Sequence, residues 1–424
     1  MIEIEQIDKL DIDIDRVQAD LEDLSRIGRA EDRSIYRMAF TQADMEARQW
    51  LMQRLDHAGL QTEMDGAANV FGRFRDGTDK PVTLIGSHLD TVPAGGSLDG
   101  ALGVVLGLEC LRRIKEEGLQ DHIYPVELVA FSDEEGRFGG GFFGSRALVG
   151  DLNPAVIHEA MDLHGVLLSD AMTNVGLDPM AALNARRAPG SYRAYLELHI
   201  EQGPVLDAEK TPIGLVEAIT GIFRWQVRLL GQADHAGTTP MPMRHDALAG
   251  LAEFTGEIPR ILEENGSESS VATIGNVQLF PGSVNTVPGQ AEFSLDVRDA
   301  DREILEQLGD TMRRALSAIG RRRGLMFEFD MLSNVDPVPC DTRVIDTIAD
   351  SLDSSETAYR RMMSGAGHDA QKMATIAPVG MVFVPSKDGR SHTAAEWTHM
   401  EDIHTGGNIL LRAALRLARL ETSW

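Results

Sequence analysis

Apolar residues recur at Ile14, Val17, Leu21 and Leu24, a helical spacing that follows the capping residue Asp13 and stops before Gly28. An amphipathic helix is therefore predicted to open the fold. Val82 to Ile85 and Val126 to Phe131 are short apolar runs of strand length, and between them Gly100 to Arg113 carries apolar residues on all sides. That is the pattern of a helix packed between a sheet and other helices. Strand, helix and strand in this order predict an α/β fold with a mostly parallel sheet.

From about Gly221 the pattern changes. Phe223 to Leu230 predicts a strand, Ala247 to Leu262 a helix, Val271 to Phe280 and Gln290 to Arg298 two strands, Ile304 to Ile319 a helix, and Leu325 to Phe329 a last strand. The order βαββαβ is the ferredoxin-like pattern of a two-layer unit. Asp336-Pro337-Val338-Pro339 marks a return, after which Met381 to Val384 and an amphipathic helix near Leu410 to Leu420 resume the earlier grammar. The expected organisation is one domain of residues 1–220 and 331–424, interrupted by a smaller inserted domain of residues 221–330.

Length agrees with this division, since 424 residues exceed one ordinary core. Forty Lys and Arg against 66 Asp and Glu leave a net charge of -26, which repels nucleic-acid backbones and anionic membrane surfaces. Cys110 and Cys340 are the two cysteines, and neither belongs to a spaced Cys/His cluster, so a disulfide framework and a thiolate metal site are not expected. Met1-Ile2-Glu3-Ile4-Glu5 lacks the features of a signal peptide, and no stretch approaches the roughly 18 apolar residues of a membrane span. A cytoplasmic location is expected.

The candidate chemistry sits at the ends of the apolar runs. His88 and Asp90 follow the first predicted strand, and a period of two turns both to one face, so that one can bind a metal while the other orients it. Asp99 stands just before the buried helix, in the crevice region where open α/β sheets bind ligands. Glu134 and Glu135 follow the second strand; adjacent side chains there cannot point the same way, so one can bind metal while its neighbour acts as general base. His199 lies in a strand-like alternation, and His392 comes after the run Met381 to Val384. Any one of the twelve histidines is by itself more often a surface or core residue, but the joint pattern is the inventory of a two-metal hydrolase. Nitrogen and oxygen donors without thiolates suit Zn²⁺, Mn²⁺, Co²⁺ or Ni²⁺.

The segments Gly86-Ser87-His88-Leu89-Asp90-Thr91-Val92-Pro93, Ser97-Leu98-Asp99-Gly100, Glu134-Glu135-Gly136-Arg137-Phe138, Glu197-Leu198-His199-Ile200-Glu201-Gln202-Gly203-Pro204, Asp234-His235-Ala236-Gly237-Thr238-Thr239-Pro240-Met241 and Ser364-Gly365-Ala366-Gly367-His368-Asp369-Ala370 resemble the M20 metallopeptidase superfamily. More narrowly, they resemble its amidohydrolase branch of N-carbamoyl-L-amino-acid hydrolases, β-ureidopropionases and allantoate amidohydrolases. The resemblance implies two divalent ions per subunit, one on His88, Asp99 and His199 and the other on Asp99, Glu135 and His392. It makes Glu134 the general base and Asp90 the support of the His88 ring. From the inserted domain, His235 would donate to the developing oxyanion, reaching into a partner subunit's site. Asn285 and Arg298 would bind a substrate carboxylate, although Arg298 beside two aspartates equally fits a structural ion pair. Gln202, Gly367 and His368 would complete the polar pocket, with a purely structural role as the alternative for His368.

By the same resemblance the inserted domain acts as lid and dimerisation domain, making a homodimer the expected assembly. The expected reaction is hydrolysis of the carbamoyl C–N bond of an N-carbamoyl-L-amino acid to the amino acid, CO2 and NH3. Allantoate hydrolysis and an aminoacylase or dipeptidase activity are the alternatives within the superfamily. A non-enzymatic binding protein on the same scaffold is disfavoured, because every ligand position and Glu134 are filled.

Overall fold

The computed structural model describes residues 3–74 and 80–419. Met1, Ile2 and Leu420, on which two of the expectations above touch, lie outside the described residues. The chain divides into two compact units: Met1–Glu217 with Cys340–Met362 and His368–Trp424, and Ala218–Pro339 with Met363–Gly367.

In the first unit, Val126–Phe131, Val82–His88, Tyr192–Ile200 and Val379–Val384 stand side by side in that order, each parallel to its neighbour. Every residue of Val82–His88 and of Tyr192–Ile200 is buried, as strands covered on both faces must be. The expected parallel sheet is thus its centre; the flanks are antiparallel, with Val70–Arg73 against Val126–Phe131 on one side and Ile213–Ile219 against Val379–Val384 on the other. Gln61–Met64 reaches Val70–Arg73 through a tight turn, which joins antiparallel strands but cannot complete a parallel crossover.

Two helices of this unit form where the spacing predicts, and the carboxy-terminal helix, expected near Leu410 to Leu420, begins earlier and spans Met400–Leu417. Asp13 accepts a hydrogen bond from the Arg16 amide at 3.1 Å and caps Ile14–Leu24, whose Val17, Leu21 and Leu24 are buried. Ala101–Glu116 is buried along nearly its whole length and packs on Val82–His88, Val126–Phe131 and Tyr192–Ile200. Its packing fixes the Asp99 loop at the carboxyl ends of the parallel strands.

The second unit runs Gly221–Leu230, Ala247–Asn265, Val271–Thr273 with Val277–Phe280, Gln290–Asp299, Arg302–Arg323 and Met326–Val335. Its strands pair antiparallel, with Gly221–Leu230 between Gln290–Asp299 and Met326–Val335. Alternation is strict: Phe223, Trp225, Val227 and Leu229 face inward and meet Phe254, Ile258, Met312 and Leu316 from the two helices. The predicted strand Val271 to Phe280 is interrupted at Asn276, whose amide bonds to the Ser294 side chain instead of a ladder partner. Among the described residues no helix is long and apolar enough to cross a membrane.

Candidate metal centre

Two groups of potential ligands converge in the first unit: His88, Asp99 and His199, and Asp99, Glu135 and His392. Within each group the donor atoms lie within 4.8 Å of one another. Asp99 belongs to both and divides its oxygens between them. Its Oδ1 is 3.5 Å from His88 Nε2 and 3.1 Å from His199 Nε2, while Oδ2 is 3.3 Å from His392 Nε2. Glu135 Oε2 stands 3.6 Å from His392 Nε2 and Glu134 Oε2 stands 3.6 Å from His88 Nε2, so the adjacent glutamates face different histidines.

Local structure enforces this. His88 ends one parallel strand and His199 nearly ends the next, so both rings point beyond the sheet. Gly100, at φ +63°, turns the chain from Asp99 into the helix; a Cβ there would lie 2.5 Å from the His88 ring, so only glycine fits. Asp90 acts on both sides of the loop. Its main-chain carbonyl, 3.0 Å from His88 Nδ1, fixes the ring, while its carboxylate, at 3.9 Å from that nitrogen, instead accepts the amides of Glu134 and Glu135 at 3.3 and 3.2 Å. The support expected from Asp90 thus reaches His88 through the backbone, and the side chain orients the glutamates. The Ile200 carbonyl, 2.9 Å from His199 Nδ1, fixes the other ring in the same way.

The electrostatics suit cations. Burial works to raise the Asp99 carboxyl, but the His199 charge and contacts with three histidines outweigh it and hold it well below the usual carboxylate range. Burial pushes Glu134 well up, and it pushes Glu135 up to about 7 with Asp99 adding to the effect. Glu135 Oε1 is buried without a hydrogen-bond partner, an arrangement that is costly unless a cation satisfies it. The donor set is nitrogen and oxygen only, the chemistry of Zn²⁺, Mn²⁺, Co²⁺ or Ni²⁺. Cys110 and Cys340 are buried and free, and burial pushes the Cys340 thiol up to about 12 and the Cys110 thiol well above its ordinary value. The residues present fit two divalent ions sharing Asp99.

Other predicted residues fall into distinct positions. Gln202 Nε2 donates to Asp99 Oδ2 at 2.8 Å and so braces the shared carboxylate. His368 is 1% exposed and packs edge-on to His199 at 4.7 Å between ring centroids; burial keeps its pKa well below the ordinary value. A neutral ring wedged there supports His199. In the second unit, His235 and Asn285 are exposed on a two-stranded ribbon in which His235 pairs with Thr286, and His235 Nδ1 accepts from the Gly237 amide at 3.0 Å. Arg298 donates to Asp296 at 3.0 Å and to the Gly365 carbonyl at 2.6 Å, making the ion pair that its neighbours suggested and tying it to the loop that ends in Gly367.

Sequence reasoning missed two buried carboxylates. Glu197 accepts from the Ser87 hydroxyl at 2.8 Å and from the Ala370 amide at 3.0 Å; its place two residues before His199, on the same strand face, was the available signal. Glu396 accepts the amides of Leu98 and Asp99, a contact between distant segments that no local pattern announces.

Residues 84–416 match peptidase family M20/M25/M40. The chain is 37% identical to the N-carbamoyl-L-amino acid amidohydrolase of Geobacillus stearothermophilus, over 96% of this chain and 99% of that one. It is 34% identical to the allantoate amidohydrolase of Escherichia coli strain K12, over 93% and 96%. A crystal structure of an amidase of the hydantoinase/carbamoylase family from Burkholderia multivorans superposes with a TM-score of 0.90 at 32% identity, covering 97% of this chain and 99% of that chain. The chain belongs to peptidase family M20/M25/M40 and stands with its amidohydrolases, hydrolases of C–N bonds.

Proposed function

We propose that the protein hydrolyses the carbamoyl C–N bond of an N-carbamoyl-L-amino acid, giving the amino acid, CO2 and NH3. The observation that carries this reading is the division of Asp99 between two ligand groups with Glu134 beside them. His88, Asp99 and His199 would hold one ion, and Asp99, Glu135 and His392 the other. Two divalent ions held there acidify water and polarise a carbonyl. Glu134, its carboxylate beside the His88 ring at 3.6 Å, accepts the proton of the attacking water and delivers it to the departing nitrogen. Asp90 holds Glu134 in place through its amide.

The βαββαβ domain, ferredoxin-like in element order, supplies the rest as lid and dimerisation domain of a homodimer. His235 donates to the oxyanion, in the partner's site, and Asn285 and Arg298 bind the substrate carboxylate. Gln202, Gly367 and His368 line the polar pocket or brace it. Allantoate is the second substrate to weigh, favoured by the 34% identity to the Escherichia coli enzyme over nearly the whole chain.

Ammonia release from metal-loaded protein, measured across N-carbamoyl-L-amino acids, allantoate and N-acyl amino acids, tests the reading. Turnover of the carbamoyl compounds above the others is expected; turnover of allantoate alone replaces the substrate, and inertness toward all of them removes the enzymatic reading. Chelation is expected to abolish the activity and added divalent ions to restore it.

A further inference from the structure

The loop that carries His392 is fastened to the loop that carries Asp99 by a side chain belonging to neither ligand group. Glu396 is 5% exposed. Its Oε1 accepts from the amides of Leu98 and Asp99 at 2.7 and 3.0 Å, and its Oε2 lies 3.0 Å from the Ser391 hydroxyl. Ser391 Oγ also stands 2.8 Å from Asp99 Oδ2, so one hydroxyl proton is shared between two carboxylates. The cradle is closely fitted: a Cβ on Gly96 would lie 2.1 Å from Glu396 Oε1.

The two ligand groups differ in how firmly they are built. His88 and His199 are each 1% exposed and stand on parallel strands of the sheet, whereas the His392 side chain is 47% exposed. His392 also adopts φ +56°, a backbone conformation that a non-glycine residue keeps only where its surroundings hold it. Apart from the approach of Asp99 Oδ2 to His392 Nε2 at 3.3 Å, this segment meets the Asp99 loop through Ser391 and Glu396, and Gln202 Nε2 stands 3.5 Å from His392 Nε2.

We propose that Glu396 is a positioning residue for the ion held by Asp99, Glu135 and His392, and that this ion is the more weakly held and exchangeable of the two. Ser391 transmits the effect, since it touches both Glu396 and the Asp99 oxygen that faces His392. The inference rests on the ligand assignment proposed above and adds an asymmetry to it.

Zn²⁺ titrated into the metal-stripped full-length protein against a chromophoric chelator tests the asymmetry. The wild type is expected to take up two ions of unequal affinity. Glu396→Ala is expected to weaken the second on the order of 10- to 100-fold, the range for lost outer-sphere partners, with a much smaller change in the first. Glu396→Gln keeps an oxygen for both amides and is expected to recover most of the loss. Ser391→Ala, which removes a single hydroxyl, is expected to shift the second affinity in the same direction, and it carries the test if Glu396→Ala does not fold. A purely structural role would lower the melting temperature of the metal-free protein without separating the two affinities. Equal weakening of both ions, or an unchanged second ion in the Ser391 and Glu396 variants, overturns the clamp. Uptake of fewer than two ions by the wild type overturns the ligand assignment itself, and the clamp with it.

Discussion

In the first unit His88, Asp99 and His199 are 1%, 3% and 1% exposed and touch one another, while in the second unit His235 and Asn285 face solvent and Arg298 is occupied by Asp296 and Gly365. The first set has its geometry imposed by strands and by buried carboxylates, so its chemistry is specified before any ligand arrives. In the second set the exposed His235 and Asn285 are held loosely, while Arg298 is already engaged by Asp296 and Gly365. On the proposed reading, such residues would acquire their role from a bound substrate or a second subunit. The comparison predicts that variants of the first set destroy function outright and that variants of the second change how substrate is held and which subunit supplies what.

The largest effect is expected from Glu134→Gln. Turnover should fall on the order of 10²- to 10⁴-fold while metal content stays at the wild-type level, because the base is lost and the ligands are not. Near-normal turnover would place the proton-accepting group elsewhere and end the contrast between the units at its strongest point.

His235→Ala comes next, with kcat expected to fall roughly 10²- to 10³-fold, as for a lost oxyanion donor. Mixing it with Glu134→Gln and letting subunits exchange asks which chain supplies the group. If His235 serves the partner's site, half the dimers become mixed and each has one intact site, so about a quarter of the wild-type activity returns. No recovery on mixing, or a monomer by light scattering, assigns His235 to its own chain.

Arg298→Ala is expected to produce the smallest change, a KM raised roughly 10- to 100-fold for carboxylate-bearing substrates with kcat little affected. An unaltered KM together with a lowered melting temperature would leave Arg298 as the partner of Asp296 alone. The second unit would then contribute less to binding than its sequence suggests.

What could be read from the sequence follows the range of the interactions. The strands Val82–His88 and Val126–Phe131 and the helix Ala101–Glu116 were legible because burial on both faces leaves apolar runs, and the candidate ligands His88, Asp99 and Glu135 were legible because they stand by the ends of those runs, as His199 and His392 do by Tyr192–Ile200 and Val379–Val384. The helical and strand periods of the second unit were equally plain, since one face of each element is buried. The antiparallel flanks were not, because Val70–Arg73 and Ile213–Ile219 pair with strands far away in the sequence, Val126–Phe131 and Val379–Val384. Glu396 was invisible for a related reason. The amides it accepts belong to a distant segment, with a separation of 298 residues to Leu98, and a lone glutamate in a polar loop carries no mark of such a contact.

The two cysteines have a practical consequence. Cys110 and Cys340 are 0% and 5% exposed, with thiols that burial keeps protonated, so the folded protein offers thiol-directed reagents almost nothing to react with. A cysteine placed by mutation on an exposed helix position of either unit would take up a spectroscopic label selectively in the native background. Pairs of such labels, one in each unit, would measure whether the distance between the units changes when substrate binds.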